Sequence, residues 1–362
     1  MNIFIRADAS TNIGTGHVMR CLVLAEDLRK RSVNVTFICR ILPGDLIAHI
    51  ENKGFSVISL PPTENNISAN EDEISNENWL DLNWKTDALQ TIEAICKKPE
   101  IDWLIIDHYG IEKKWERSVR PGVKRIMVID DLANRSHDCD ILLDQNLYRN
   151  LEKRYEELIP ESTSTLLGPK YLLLRQEFRD LQFVKNKNVT VKRILISFGG
   201  SDPTNETMKA IKAIKIINRP EIAVDVVVGI SNEKYSIIKK YCEKLPNIKI
   251  HYQIDYLAKL MSEADLAIGA GGSTTWERCY VGLPAITIET AENQSEILAY
   301  LSEIGAVWHL GVSEKVDEED IANNILKLIN FPTVLVEMVN ATASIMGDFS
   351  DNLVVERLLE GE

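Results

Sequence analysis

NIFIRADASTNIGTGHVMRCLVLAEDLRK, residues 2 to 30, reads as a strand, a glycine turn and a helix. The β-branched run IFIR (3 to 6) predicts the strand; from about Val18 the apolar residues Val18, Cys21, Leu22, Ala25 and Leu28 recur with helical spacing. That unit repeats along the chain. Strands are expected at NVTFIC (34 to 39), FSVISL (55 to 60), DWLIID (102 to 107), RIMVID (125 to 130) and DILLD (140 to 144). A second series follows at RILISF (193 to 198), VDVVVG (224 to 229), IKIHY (248 to 252), DLAIG (265 to 269), AITIE (285 to 289) and VWHL (307 to 310). Short apolar strands alternating with amphipathic stretches are the pattern of parallel sheets with crossover helices, so the class is α/β. A mixed segment from roughly 150 to 192 separates the series and carries the interdomain connection.

Bulk composition agrees with two domains: 362 residues, of which 45% are hydrophobic and 26% charged, exceed what a single compact core usually organises. A net charge of -13 argues against a general nucleic-acid or anionic-membrane binder, because both require a basic surface. An anionic ligand must then be held by local features. The six cysteines are scattered without CxxC or zinc-like spacing, which predicts reduced, mostly buried thiols. Neither a leader-like N-terminus nor an apolar run of about 20 residues is evident, so a soluble, cytoplasmic chain is expected. The segment PPTENNISANEDEISNENW (61 to 79) is acidic and Asn-rich; it is expected to be a long surface loop, either a substrate-contacting element or simply solvated.

Four stretches carry residues suited to chemistry. In the opening unit, Gly14 and Gly16 permit positive φ and close backbone approach ahead of a helix N-terminus, which favours anions. His17 sits at the first turn of that helix, where the dipole disfavours imidazolium; it reads either as a cap packed under the loop or as a neutral base. In SFGGSDPTNET (197 to 207), Gly200, Ser201, Thr204 and nearby amides could meet a phosphate, whereas Asp202 before Pro203 reads first as a helix cap. In IGAGGSTTWERCYVGLPAITIETAENQ (268 to 294), Gly271, Gly272, Ser273 and Thr274 form a turn rich in amides and hydroxyls, suited to a diphosphate. Glu277, one helical turn on, suits the paired hydroxyls of a ribose or else is an exposed residue beside Arg278. Finally IIDHYG (105 to 110) brings Asp107, His108 and Tyr109 to another strand end, where a metal site with His17 is geometrically open.

Taken in order, GTGHVMRCL after RAD, IIDHYG, VIDDLANRSHDCDILLDQN (128 to 146), GPKYLLLRQEF (168 to 178), ISFGGSDPTN and GAGGSTTWERCYVGLPAI resemble the family of UDP-2,4-diacetamido-2,4,6-trideoxy-β-L-altropyranose hydrolases of pseudaminic acid biosynthesis. The similarity runs from Met1 to about residue 310. It implies a GT-B-like fold, with two Rossmann-like domains whose parallel sheets face each other across a cleft. The implied layout is a first domain over 1–165 carrying the catalytic histidine and sugar site, a linker over 166–192, and a UDP-binding domain over 193–345. A C-terminal helix within 346–362 is expected to pack back on the first domain.

The resemblance further implies hydrolysis of a UDP-sugar with no cofactor and no metal. Its only expected partner is the small-molecule substrate, with the chain a monomer or weak dimer. His17 corresponds to the family's proposed general base, Tyr109 and Asn293 to substrate-site residues, and Glu277 to the ribose-binding glutamate of GT-B relatives. UDP is a good leaving group that needs little acid assistance, so one base aligning one water suffices, with inversion at the anomeric carbon. A GT-B glycosyltransferase using the same donor, and a non-catalytic nucleotide-sugar binder, are the alternatives.

Overall fold

The structure is a computed structural model that describes residues 1–11, 13–62, 83–96, 98, 100–181 and 190–360. From position 63 onward the acidic insert lies outside the described residues. The chain divides into two compact domains, one comprising Met1–Asn146, Asn150–Leu173 and the segment from Ser350, the other Leu147–Arg149 and Leu174–Phe349.

The first domain runs β1 (Asn2–Ala7), α1 (Gly16–Lys30), β2 (Asn34–Arg40), α2 (Ile47–Asn52), β3 (Ser56–Leu60), α3 (Trp84–Ile95), β4 (Trp103–Asp107), α4 (Lys113–Val119), β5 (Arg125–Ile129), β6 (Ile141–Asp144) and β7 (Ser164–Leu167). Its seven strands lie in the order β3-β2-β1-β4-β5-β6-β7, every neighbouring pair parallel. Continuous apolar strands such as WLIID, buried along their whole length, are what a sheet covered on both faces requires. One face packs Ile3, Ile5, Phe37, Ile105 and Met127 against Val18, Leu22 and Leu28 of α1. The other packs Phe4, Leu104, Ile106 and Val128 against Trp115 and Val119 of α4.

The second domain runs α5 (Gln176–Arg179), β8 (Arg193–Ser197), α6 (Glu206–Ile217), β9 (Ala223–Val228), α7 (Tyr235–Cys242), β10 (Ile248–Tyr252), α8 (Leu257–Glu263), β11 (Leu266–Ala270), α9 (Thr274–Tyr280), β12 (Ala285–Glu289), α10 (Ser295–Glu303), β13 (Trp308–Val312), α11 (Glu318–Asn330) and α12 (Pro332–Ile345). Its sheet is ordered β10-β9-β8-β11-β12-β13, again wholly parallel. The last helix, α13 (Leu353–Leu359), belongs to the first domain. Its Val354, Val355 and Leu358 are buried in the same core as α1, and Trp103 donates its indole N–H to the Leu358 carbonyl at 3.0 Å.

Two differences from the expected strand map have local causes. The mixed segment after 150 contains an edge strand, β7, so a linker beginning at 166 cuts through a strand. STLL is short and exposed over its first two residues, which removes the apolar signal by which strands are recognised. The first helix begins at Gly16, ahead of the apolar repeat, because Met19 N–H already donates to the Thr15 carbonyl. No single helix among the described residues is long and apolar enough to cross a membrane. The pair α11 and α12 passes by composition, but it is bent by 93°, and its Ile321, Ile325, Leu328, Leu335 and Met338 are buried in the second domain's core.

In both sheets the chain order reverses at one place, between β1 and β4 in the first and between β8 and β11 in the second. Crossovers leave in opposite directions from those neighbours, so the carboxyl ends of the two strands open a crevice, where open α/β sheets take their ligands. All the stretches singled out for chemistry except one follow these four strands. GTGH follows β1, DHYG closes β4, FGGS follows β8 and GGST follows β11. The remaining one, AENQ, follows β12.

Beneath the first of these crevices lies a buried ion network. Arg6 donates to Asp8 at 2.5 Å and to Asp87 at 2.9 Å. Asp87 also receives Arg40 at 2.5 Å and the Trp115 indole at 2.8 Å. Asp8 further accepts the Arg40 backbone N–H at 2.7 Å and faces His108 Nε2 at 3.3 Å. Arg40 completes the set by donating to the Pro61 carbonyl at 2.6 Å. The network therefore fastens α3 and the end of β3 to the carboxyl ends of β1 and β2.

Candidate active site

In the first domain the loop after β1 closes on itself. Gly14 N–H donates to the Ser10 carbonyl at 2.9 Å, the Ser10 hydroxyl accepts the Ile13 N–H at 2.9 Å, and Gly14 has φ +80°, a value that a Cβ disfavours. Gly16 differs: its φ is not positive and an added Cβ would meet nothing within 4 Å. Neither the backbone nor its neighbours require glycine there, which leaves the space above it open to a ligand.

His17 is buried and sits edge-on to Tyr109, with ring centroids 4.4 Å apart. Its Nδ1 has no hydrogen-bond partner among the described residues, and its Nε2 is 3.9 Å from Asp107, beyond hydrogen-bond distance. A role as a satisfied structural histidine would require those partners. Burial lowers the imidazole pKa, Asp107 opposes that and Arg20 adds to it, with a net displacement below the ordinary value. Desolvation is the largest cause, where the sequence pointed to the helix dipole.

The neighbouring carboxylate is not a rival base. Arg20 grips Asp107 bidentately at 2.6 and 2.7 Å and reaches Asp131 at 2.9 Å. Burial pushes the Asp107 carboxyl up, but Arg20, together with His17 and the Cys21 thiol, outweighs it and holds the group below the usual carboxylate range. Tyr109 is hydrogen-bonded to Asp131, and burial pushes its phenol upward, so it stays protonated. Of the three residues at the carboxyl end of β4, Asp107 and Tyr109 therefore join His17, whereas His108 turns to Asp8 and accepts the Gly110 N–H on Nδ1 at 3.0 Å. Among the described residues no three His, Cys, Asp or Glu side chains form a group that could hold a metal ion.

The second domain supplies a different surface. After β8 the exposed Gly200 and Ser201 run against the end of β9, where a Cβ at Gly229 would lie 2.3 Å from the Gly200 carbonyl. Only glycine fits at 229. Asp202 caps α6, accepting the N–H groups of Glu206 at 2.8 Å and Thr207 at 3.0 Å. After β11, Gly271 is buried, Gly272 and Ser273 are exposed and Thr274 is half-buried. Gly272 shares the property of Gly16: no positive φ, and open space where a Cβ would stand.

Arg278 lies directly beneath this turn, fully buried. It donates to the Ala270 carbonyl at 2.8 Å, to Thr275 at 2.9 Å and to Thr274 at 3.4 Å. Those partners are neutral oxygens, and its Nε has none among the described residues. Burial pulls the guanidinium down to about 10, still protonated at neutral pH. A cation held under a glycine turn by neutral hydrogen-bond partners, with Glu277 acting on it only through space, raises the potential at that turn, as an anion site requires. In the sequence Arg278 stands out only as the neighbour of Glu277. Glu277 is in fact buried and paired elsewhere: Arg175 grips it bidentately at 2.7 and 3.0 Å.

The loop after β12 carries Asn293, exposed on the short turn Glu292–Gln294. Its neighbour Gln294 accepts the N–H groups of Gly271 and Thr290, each at 3.1 Å, and so ties this loop to the β11 turn. Gln294 and Arg175 act on partners 23 and 102 residues away, a coupling that local sequence does not display.

Comparison with known proteins follows the same division. Residues 194–353 match the profile of the Glycosyltransferase family 28 C-terminal domain. An uncharacterised protein of Methanocaldococcus jannaschii is 33% identical over 306 residues, covering 82% of this chain. The chain spans 57% of that relative's length. The UDP-2,4-diacetamido-2,4,6-trideoxy-β-L-altropyranose hydrolase of Campylobacter jejuni is 28% identical over 310 residues, 84% of this chain and 97% of the relative. Among solved structures, Acinetobacter baumannii MurG superposes with a TM-score of 0.63 at 14% identity, over 99% of this chain and 98% of the other. The chain is an α/β protein of the GT-B fold, built of two parallel-sheet, Rossmann-like domains of which the second matches the C-terminal domain of glycosyltransferase family 28.

Proposed function

We propose that the protein hydrolyses a UDP-sugar, UDP-2,4-diacetamido-2,4,6-trideoxy-β-L-altropyranose, to UDP and 2,4-diacetamido-2,4,6-trideoxy-L-altrose. The observation that carries this reading is His17: a buried imidazole at the switch point of the first sheet, biased toward its neutral form, with no hydrogen bond committing Nδ1 among the described residues. Similarity to the C. jejuni hydrolase along 97% of that enzyme supplies the reaction class.

In this reading the second domain binds UDP. The open turn at Gly271, Gly272, Ser273 and Thr274, with Gly200 and Ser201, receives the diphosphate, Arg278 beneath it supplies positive potential, and Glu277 receives the ribose hydroxyls. The first domain provides sugar contacts at Gly14, Gly16 and Tyr109, and Asn293 is the substrate-site residue of the second. His17 takes a proton from water as the water oxygen bonds to the anomeric carbon. The bond from that carbon to the UDP oxygen breaks, its electron pair leaving on the diphosphate. Attack from the face opposite UDP inverts the configuration. Because the leaving group is already a weak base, no general acid is called for.

The match of residues 194–353 to a glycosyltransferase domain favours a second reading, transfer of the sugar to an acceptor. Incubation with a panel of UDP-sugars in chelator, with and without acceptors, separates the two. Release of UDP and free sugar in equal amounts without acceptor supports hydrolysis. UDP release that requires an acceptor supports transfer, and release that requires an added divalent metal contradicts water activation by His17 alone.

A further inference from the structure

We infer that Arg175 is a positioning residue that sets the specificity of the nucleotide site for ribose, by fixing the carboxylate of Glu277. The inference rests on the reading of Glu277 as the ribose-binding residue. Arg175 stands at the start of α5, within the stretch GPKYLLLRQEF, to which no role has otherwise fallen.

Its guanidinium is held from three sides. Nε and Nη2 meet the two oxygens of Glu277 at 2.7 and 3.0 Å, Nη1 meets Glu177 at 2.7 Å, and the Phe178 ring, itself fully buried, lies 5.1 Å from the guanidinium carbon. Glu177 is anchored in turn, accepting the Ala258 N–H at 3.1 Å. The relay from the Ala258 amide through Glu177 and Arg175 to Glu277 leaves the carboxylate little freedom. A bidentate guanidinium fixes the plane of a carboxylate as well as its position. Each Glu277 oxygen retains a lone pair outside the Arg175 fork, so a fixed carboxylate can accept two hydroxyl protons on its free side. Glu277 on a short helix without that clamp would sample several rotamers, and a pair of ribose hydroxyls would have to order it on binding. An Arg175–Glu277 pair that merely stapled α5 to α9 would serve stability and leave nucleotide choice alone.

Calorimetric titration with UDP and with 2′,3′-dideoxy-UDP tests the difference, using the full chain and its R175M, R175K and E277Q variants. The wild type is expected to prefer UDP by roughly tenfold or more, the worth of hydrogen bonds to a charged group. R175M is expected to bind dideoxy-UDP as the wild type does but to lose most of its preference for UDP, with R175K intermediate because an ammonium cannot grip both oxygens. An equal loss for both ligands in R175M, or unchanged preference, overturns the inference while E277Q still abolishes the preference. If E277Q itself keeps the preference, the ribose reading of Glu277 falls and the inference falls with it. Should R175M fail to fold in thermal melts, R175K alone decides: full preference for UDP overturns the inference and partial preference supports it.

Discussion

His17 combines features that seldom occur together in a structural histidine: burial, an uncommitted Nδ1 and a carboxylate neighbour already neutralised by arginine. Its folded pKa is lowered, so the neutral form persists below the ordinary value of 6.5. As pH falls through that depressed value the base is lost, and kcat/KM, which reports the free enzyme, is expected to show an acid limb below 6.5. A pH profile of kcat/KM with its acid limb above that point would contradict the assignment. Arg278 makes a separate prediction. R278M should weaken UDP roughly tenfold or more while leaving uridine binding unchanged, since a charge at several Å acts on the diphosphate at an effective dielectric near 20. R278K should retain much of the affinity; equal losses for uridine and UDP in titration would show a packing effect instead. Of these two residues, only the first was legible from sequence. A histidine behind GTG announces itself locally, whereas a buried arginine held by neutral partners is recognisable only once the turn folds over it.

At the next scale each domain carries a glycine turn ahead of a helix. Gly16 and Gly272 lack any conformational or packing need for glycine, in contrast to Gly14 with its positive φ. Alanine at either position is therefore expected to leave stability within about 1 kcal/mol, yet to impair turnover, measured by thermal melts beside UDP-release rates. A large loss of stability would mean that the space above them is not the ligand's. Helix α13 carries the opposite expectation. Leu358, fully buried, packs in the α1 core, so L358A should cost about 2–5 kcal/mol in denaturant unfolding without direct effect on nucleotide affinity. The repeated strand, turn and helix units were readable because parallel strands are uniformly apolar. Strand β7 escaped because it is short and half-exposed, and the Gln294 and Arg175 couplings escaped because no local pattern records a contact across tens of residues.

Across the whole molecule, one strand order occurs twice, with a seventh strand added in the first sheet, and all but one of the stretches singled out for chemistry lie at the switch points. The first domain adds a buried ion network whose cost in desolvation is offset only while all partners remain. Asp87 shows the sign: burial pushes its carboxyl up, but Arg6 and Arg40 outweigh this and hold it below the usual range. Its contribution is present above the unfolded carboxylate pKa and is lost as pH falls through the lower folded value. D87N should therefore cost about 3–5 kcal/mol near neutral pH, and much of that difference should vanish in acid unfolding. An unchanged midpoint at neutral pH would make the network dispensable. The proposed hydrolysis turns on His17 as the base that activates water. It is tested by UDP release from the diacetamido UDP-sugar, in chelator and without acceptor, by the wild type and H17A, with UDP affinity measured on both. Equal yields of UDP and free sugar are expected from the wild type, and a loss of about 10²–10⁴-fold in H17A at undiminished UDP affinity. Turnover by H17A at the wild-type rate, or no release by the wild type until an acceptor is added, would contradict the role of His17 as the base of a hydrolase.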